Sequence, residues 1–300
     1  MTFKTKLDKV CEKCSDNSKR VYLINIRRLY RLYDEDGEIP ATESKWLKSK
    51  KLVDAYNKLP YSKRRALSVA GTKASRAYGV SSDEWYKRLV NDQELYLKNR
   101  TKNKRTPEED AKMLKGGIKE LKKIATEYKR KINRDLKKPS IKSLRKYQLY
   151  ISMRLFVELP FRNDFVSFLV SGKKDNYILY KKRKKAKFVV QKFKNSDKLG
   201  PREVEISVAL TRALKQFLKF REPLVKHDFL FSNQDEKPMS KQAFSKAFHK
   251  VMEQESGKKF GSRILRIMHA NENADIIEKS SELTNKMLHT SEQTKQYIKK

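Results

Sequence analysis

Arginine, lysine, histidine and tyrosine side chains in this chain are of the types that breaking a phosphodiester without a metal would use. That chemistry needs a nucleophile, cationic donors for the non-bridging oxygens as the phosphorane forms, and an acid for the departing 5′-oxygen. Arginine brings a planar bidentate fork that matches phosphate, whereas lysine can be desolvated and act as the acid. The candidates sit in four segments. They are Leu159 to Phe165 (LPFRNDF) with Arg162, Phe188 to Ile206 (FVVQKFKNSDKLGPREVEI) with Lys194, Gly261 to Arg266 (GSRILR), and Leu288 to Ser291 (LHTS) followed by Thr294 and Tyr297. Among 72 basic residues a single arginine is ordinarily a surface charge, so the information lies in the order.

The chain has 300 residues with 38% hydrophobic content, enough for one large domain or two ordinary ones, each with a real core. Its formal net charge of +36 points to a polyanionic partner. A membrane is the weaker candidate, because no apolar run approaches the roughly 18 residues of a spanning helix and no signal peptide opens the chain. The expectation is a soluble intracellular protein whose partner is double-stranded DNA, with no small-molecule substrate. The run Lys181 to Lys187 (KKRKKAK) reads either as a nuclear-import patch, placing the protein in a host nucleus or at a viral replication site, or as a by-product of the basic composition. Cys11 and Cys14 form the only C-x-x-C pair. Zinc needs four ligands and neither a second pair nor a nearby histidine is present, so two reduced thiols are expected, with redox chemistry as the lesser reading. No metal and no cofactor is called for.

The elements that would position these residues follow from periodicity. Val21 to Tyr33, Trp46 to Leu59, Ser62 to Tyr78 and Asp83 to about Leu97 predict helices, the third stopping at Gly79 and the fourth opened by a Ser81/Glu84 capping box. Thr106-Pro107-Glu108-Glu109 offers an N-cap, a proline at N1 and an acid at N3. The Lys-rich stretch beyond it, Ile118 to Leu136, reads as a solvated connecting helix. Ser140 starts a helix to about Leu155. Val166 to Val170, Tyr177 to Tyr180, Phe188 to Phe193 and Val204 to Val208 read as short strands. Helices return at Ala209 to Arg221, Ser240 to about Gln254, Ser262 to about Glu278, through Leu288, and from Glu292. The fold class is therefore mainly α with a small antiparallel β-sheet, divided as a helical domain over 1–105, a charged connector over 106–138 and an α+β domain over 139–300.

The four segments together resemble the catalytic boxes of the tyrosine recombinase (integrase) family, and Leu159 to Phe165 is similar to the P-x-R-N-D-[FY] form found in integrase-like proteins of large DNA viruses, virophages and eukaryotic mobile elements. The resemblance covers the second half; the first half looks like the family's core-binding domain mainly in pattern. It implies a two-domain DNA clamp that cuts and rejoins DNA through a 3′-phosphotyrosyl intermediate, without metal or ATP, and assembles as a tetramer on DNA. Arg162 and Arg266 would clamp the scissile phosphate, and Lys194, with Lys192 and Lys198 as alternatives, would protonate the leaving 5′-hydroxyl. His289 would donate to a non-bridging oxygen or assist proton transfer, and Tyr297 would attack. Two other readings stand beside it, a type IB topoisomerase and a catalytically inactive DNA-binding derivative of the fold.

Three departures from the family pattern are visible. Arg263 stands where the H-x-L-R box has histidine, with His269 one turn beyond Arg266 as a candidate substitute. Leu288 replaces the usual glycine before the closing histidine, and Tyr297 follows His289 by eight positions, one fewer than in the commoner bacterial members. Three residues follow Tyr297, so exchange of a terminal helix between protomers is either minimal or made elsewhere. In the first half, Lys63, Arg64, Arg65, Lys73 and Arg76 lie on one predicted helix, several on one face, as a phosphate-contacting candidate set.

Overall fold

The structure is a computed structural model that describes residues 1–100, 105–172, 174–180, 185–193, 196–274 and 287. The chain divides into two compact units, Met1–Lys102 and Asn103–Lys300.

The first unit is helical: α1 (Phe3–Val10), α2 (Asp16–Arg31), a 3-10 turn (Lys45–Lys48), α3 (Lys50–Asn57), α4 (Tyr61–Tyr78) and α5 (Asp83–Arg100). Thr2 and Ser15 cap α1 and α2 with their hydroxyls, and α4 stops at Gly79, whose φ of +71° suits glycine. Ile26, Leu29, Trp46, Leu52, Tyr56 and Trp85 fill the core. At Gly71 an added Cβ would lie 2.3 Å from the Trp85 ring, so the close approach of α4 and α5 requires glycine there. The helix expected over 46–59 is broken. The Trp85 indole N–H donates to the Leu47 carbonyl at 3.1 Å, taking the acceptor that a continuous helix would use, and Ser49 is extended. The Ser81/Glu84 capping box does not form in that register. The Ser81 hydroxyl instead accepts the Asp83 N–H and donates to the Asp83 carboxylate, and the first helical hydrogen bond runs from Tyr86 to the Ser82 carbonyl.

The second unit begins with α6 (Pro107–Lys112), opened by the full Thr106/Glu109 capping box, and α7 (Gly117–Ile132). Here the expected solvated connector is wrong. Ile118, Leu121, Ile124, Ala125, Tyr128 and Ile132 are buried at helical spacing, so α7 is a wall of the core. Lys119, Lys122, Lys123 and Lys131 between them are on the solvent side, and their density hid the stripe. α8 (Ile141–Glu158) packs on α7 and is capped by Ser140.

The expected strand over 166–170 is a 3-10 turn (Asn163–Ser167) followed by single bridges from Leu169 to Tyr177 and Phe229. Phe165, Val166 and Phe168 are all buried rather than alternating, which a short apolar run cannot distinguish in advance. The antiparallel sheet is a meander of β1 (Tyr177–Leu179), β2 (Lys187–Val190) and β3 (Arg202–Glu205), with Ile178 opposite Phe188 and Phe188 opposite Val204. Those three side chains are buried, while Lys187 and Glu203 pair at 3.0 Å on the outer face. A single turn, α9 (Ser196–Leu199), lies between β2 and β3; α10 (Val208–Arg221), α11 (Lys241–Ser256) and α12 (Ser262–Glu272) complete the described elements. Edge contacts among Phe156, Phe165, Phe231, Phe244 and Phe248, with Phe244 stacked on Phe248, knit α8, α11 and the 3-10 turn together.

Candidate active site

Arg162 sits where α8 gives way to the 3-10 turn, and two aromatic anchors fix that junction. Phe161, on one side, meets the Phe188 ring edge-on at 5.8 Å; Phe165, on the other, meets Phe156 at 5.2 Å. The α8 end is tied down by Glu158, whose carboxylate accepts the backbone N–H and the hydroxyl of Ser207, the N-cap of α10. Asp164, the acid nearest Arg162 in sequence, pairs with Lys241 at the start of α11 at 2.5 Å. Arg162 is half-buried on a backbone held at both ends.

α12 carries the second arginine. Arg266 is 4% exposed, an unusual position for a side chain that is always charged. The other arginine buried among the described residues, Arg221 at 5%, donates to the carbonyls of His227 and Phe229 and serves the fold. One turn after Arg266, His269 is 7% exposed and its Nε2 donates to the Phe156 carbonyl at 2.7 Å. Phe156 lies on α8, six residues before Arg162. This bond joins the helix of Arg266 to α8, which ends just before Arg162, across 113 positions of sequence. It holds the expected accessory residue His269 in the core.

The N-terminal end of α12 is defined by close packing. An added Cβ at Gly261 would stand 2.4 Å from Nε2 of His249, so a side chain there would have to displace the imidazole from α11 lying against it. Burial, together with Lys259 and Lys112, lowers the His249 pKa and keeps it neutral at pH 7. Arg263, in the first turn of α12, is 72% exposed and bonds Glu109 of α6 at 2.6 Å.

The hairpin segment is anchored on both flanks of position 194. The Asn176 side chain, from the residue before β1, accepts the N–H groups of Gln191 and Lys192, both at 2.8 Å, and donates to the Lys192 carbonyl at 2.7 Å. Beyond it, the Ser196 N–H donates to the Phe193 carbonyl at 3.0 Å, opening α9. Lys192, one alternative to Lys194, is paired with Asp175. Lys194, His289 and Tyr297 lie outside the described residues, as does the Lys198 side chain.

In the first unit, the basic candidates of α4 separate. Arg64 pairs with Asp92 at 2.9 Å, and that carboxylate, 2% exposed, also accepts the hydroxyls of Tyr56 and Ser68. Arg65 lies 4.0 Å over the Tyr96 ring and donates to Gln93, and the Lys73 ammonium stands 5.5 Å from the Tyr22 ring. Lys63 and Arg76 are exposed.

Sequence reasoning missed Glu109, Asn176, His249 and Lys241 as contributors. Glu109 was visible only as a capping acid, and the others carry no local signal, because their partners are distant in sequence.

No protein-family model and no curated protein matches the sequence. Solved structures do match. The XerH site-specific recombinase bound to its difH substrate, in a pre-cleavage complex, aligns with TM-score 0.59 at 14% identity, covering 99% of this chain and 82% of that one. Its post-cleavage complex with a palindromic difH substrate gives 0.58 at 13% identity, over 98% and 80%. The fold is that of the tyrosine recombinases.

Proposed function

We propose that the chain is a site-specific DNA recombinase or integrase that cuts and rejoins DNA through a 3′-phosphotyrosyl intermediate. The observation that carries the reading is the His269 bond to Phe156, which joins the elements of Arg162 and Arg266 within a recombinase fold. In the proposed reaction the Tyr297 oxygen attacks phosphorus, the phenol proton departs, and the bond from phosphorus to the 5′-oxygen breaks. Lys194 supplies the proton to that oxygen. Arg162, Arg266 and His289 stabilise the non-bridging oxygens, each arginine worth a few kcal/mol, on the order of one oxyanion-hole donor. A free phenol ionises only near pH 10, so the surrounding cations must favour the phenolate. The phosphodiester energy is kept in the tyrosyl ester, and the reverse attack rejoins the strand without ATP.

The first unit is assigned to holding duplex DNA and the second to catalysis, with four subunits assembling on two duplexes and a virus or mobile element as the source. A suicide substrate nicked beside the scissile phosphate tests the reading. The wild type is expected to become trapped as a covalent adduct that Tyr297→Phe abolishes; a wild type that binds this DNA but leaves no adduct would falsify it. Arg263 at the usual histidine position and Leu288 at the usual glycine favour a second reading, a DNA-binding protein of the same fold that does not cleave, and the same trap separates the two.

A further inference from the structure

Glu109 occupies an unusual place for an acid in a chain of this charge. Its side chain is 6% exposed, and each oxygen has a distinct partner. Oε2 accepts the Thr106 backbone N–H at 3.0 Å and closes the capping box of α6. Oε1 takes Nη2 of Arg263 at 2.6 Å. A carboxylate buried this far stays charged only with such partners. Arg263 itself is 72% exposed, so it is anchored at one corner while the rest of its planar fork faces solvent. The neighbouring Glu108 is held below the usual carboxylate range by its bond to Lys112, with Arg263 adding to the effect.

The same segment grips α12 at its other end. Glu272 accepts the Ile118 N–H at the start of α7 at 2.6 Å, and Lys258, just before α12, donates to the Met113 carbonyl. The stretch from α6 to α7 therefore sets where α12 lies and how it is rotated, and Arg263 and Arg266 are three residues apart on it.

We propose that Glu109 is a positioning residue for DNA cleavage. Its carboxylate orients Arg263 so that the solvent-facing edge of the guanidinium meets a non-bridging oxygen of the scissile phosphate, at the position where the H-x-L-R box has histidine. This inference rests on the recombinase reading. Because arginine does not titrate in the working range, the donor at this position is constant with pH, unlike a histidine.

Glu109→Gln is the informative change, since glutamine at N3 keeps the capping box but loses the charge. Single-turnover adduct formation on the nicked substrate is measured for wild type, Glu109→Gln, Arg263→Ala and the double variant. Each single change is expected to slow cleavage roughly 10- to 100-fold, the scale of a displaced catalytic contact, with DNA binding unchanged or tighter. The double variant should be no slower than Arg263→Ala alone. Multiplying effects in the double variant overturn the proposal, because Glu109 would then act independently of Arg263. Thr106→Ala, which breaks the cap and spares the charge, should lower stability without matching the rate loss; an equal loss would reduce Glu109 to scaffolding. With Arg263→His the rate should acquire a titration near about pH 6.5, moved to lower pH when Glu109→Gln is added, since the introduced imidazolium loses its counter-charge. No movement counts against the proposal. A wild type without adduct removes the recombinase reading and this one together, whereas an adduct with multiplying effects removes this one alone.

Discussion

Two sets of cations in this molecule look alike in sequence and differ in what surrounds them. Along α4, Arg64 is spent on a buried carboxylate, Arg65 on a tyrosine face and Lys73 on another, so three of five candidate phosphate ligands already serve the helical unit. In the second unit, Arg266 is buried on a helix bonded to α8, which ends just before Arg162, and aromatic rings on both sides fix the backbone of Arg162. Charge could not separate the two sets, but their surroundings do. Arg64, Arg65 and Lys73 are bonded to side chains of their own helical unit, whereas the backbone that carries Arg162 and Arg266 is held by contacts between separate elements of the second unit.

The largest effect expected from this contrast is in catalysis. Arg162→Ala and Arg266→Ala should each lower the rate of covalent adduct formation by about 10² to 10³, the range for loss of one preorganised donor, while DNA binding persists. Equal loss of binding and cleavage would make them phosphate anchors and erase the distinction from α4. Next comes Arg64→Ala, which strands Asp92 at 2% exposure with only hydroxyl partners. Breaking such a pair costs about 3 kcal/mol, read as a lower urea midpoint for the first unit, whereas Arg162→Ala should leave that transition in place. Gly261→Ala should cost about 1 to 3 kcal/mol in the second unit by driving a methyl into His249, unless the ring swings aside, in which case the melt will not move.

Much of the frame was legible from periodicity. Most helices of both units, three of the four expected strands and the Thr106 capping box follow from spacing and cap chemistry that act within a few residues. What failed has two causes. The break at Ser49 goes with an indole bonded to Leu47 from 38 positions away, whereas the burial of α7 was hidden by lysines that dilute a local apolar stripe. The burial of His269 depends on a carbonyl 113 positions distant. The candidate arginines could be picked out by their order, but Glu109 and Asn176, which hold the surrounding backbone, are visible only once the chain is folded.

Smaller effects separate the units by pH. Burial lowers the pKa of His227 and His249, both in the second unit, with Arg221 reinforcing the first and Lys259 and Lys112 the second. A depressed histidine is neutral in both states above its unfolded value near 6.5, so it adds no pH dependence there. As pH falls below that value the unfolded chain binds protons that the folded chain resists, and stability drops. Thermal melts between pH 8 and 5 should show this loss, and His249→Gln should flatten it. An unchanged slope would mean the ring is protonated without cost against Gly261.

The smallest expected effect belongs to the cations of α4 that keep their charge outward. Lys63 and Arg76 are exposed, and among the described residues no ion pair involves them, so their charge is available to phosphates. Each alanine replacement should leave stability unchanged and reduce the slope of log affinity against log salt by about 0.9, whatever the DNA sequence, as expected for one released counterion. Arg64→Ala should leave that slope nearly intact, since its charge is already answered by Asp92. If instead Arg64 dominates the salt slope and Lys63 does not contribute, the Asp92 pair must open on DNA, and internal pairing would no longer tell a structural cation from a binding one.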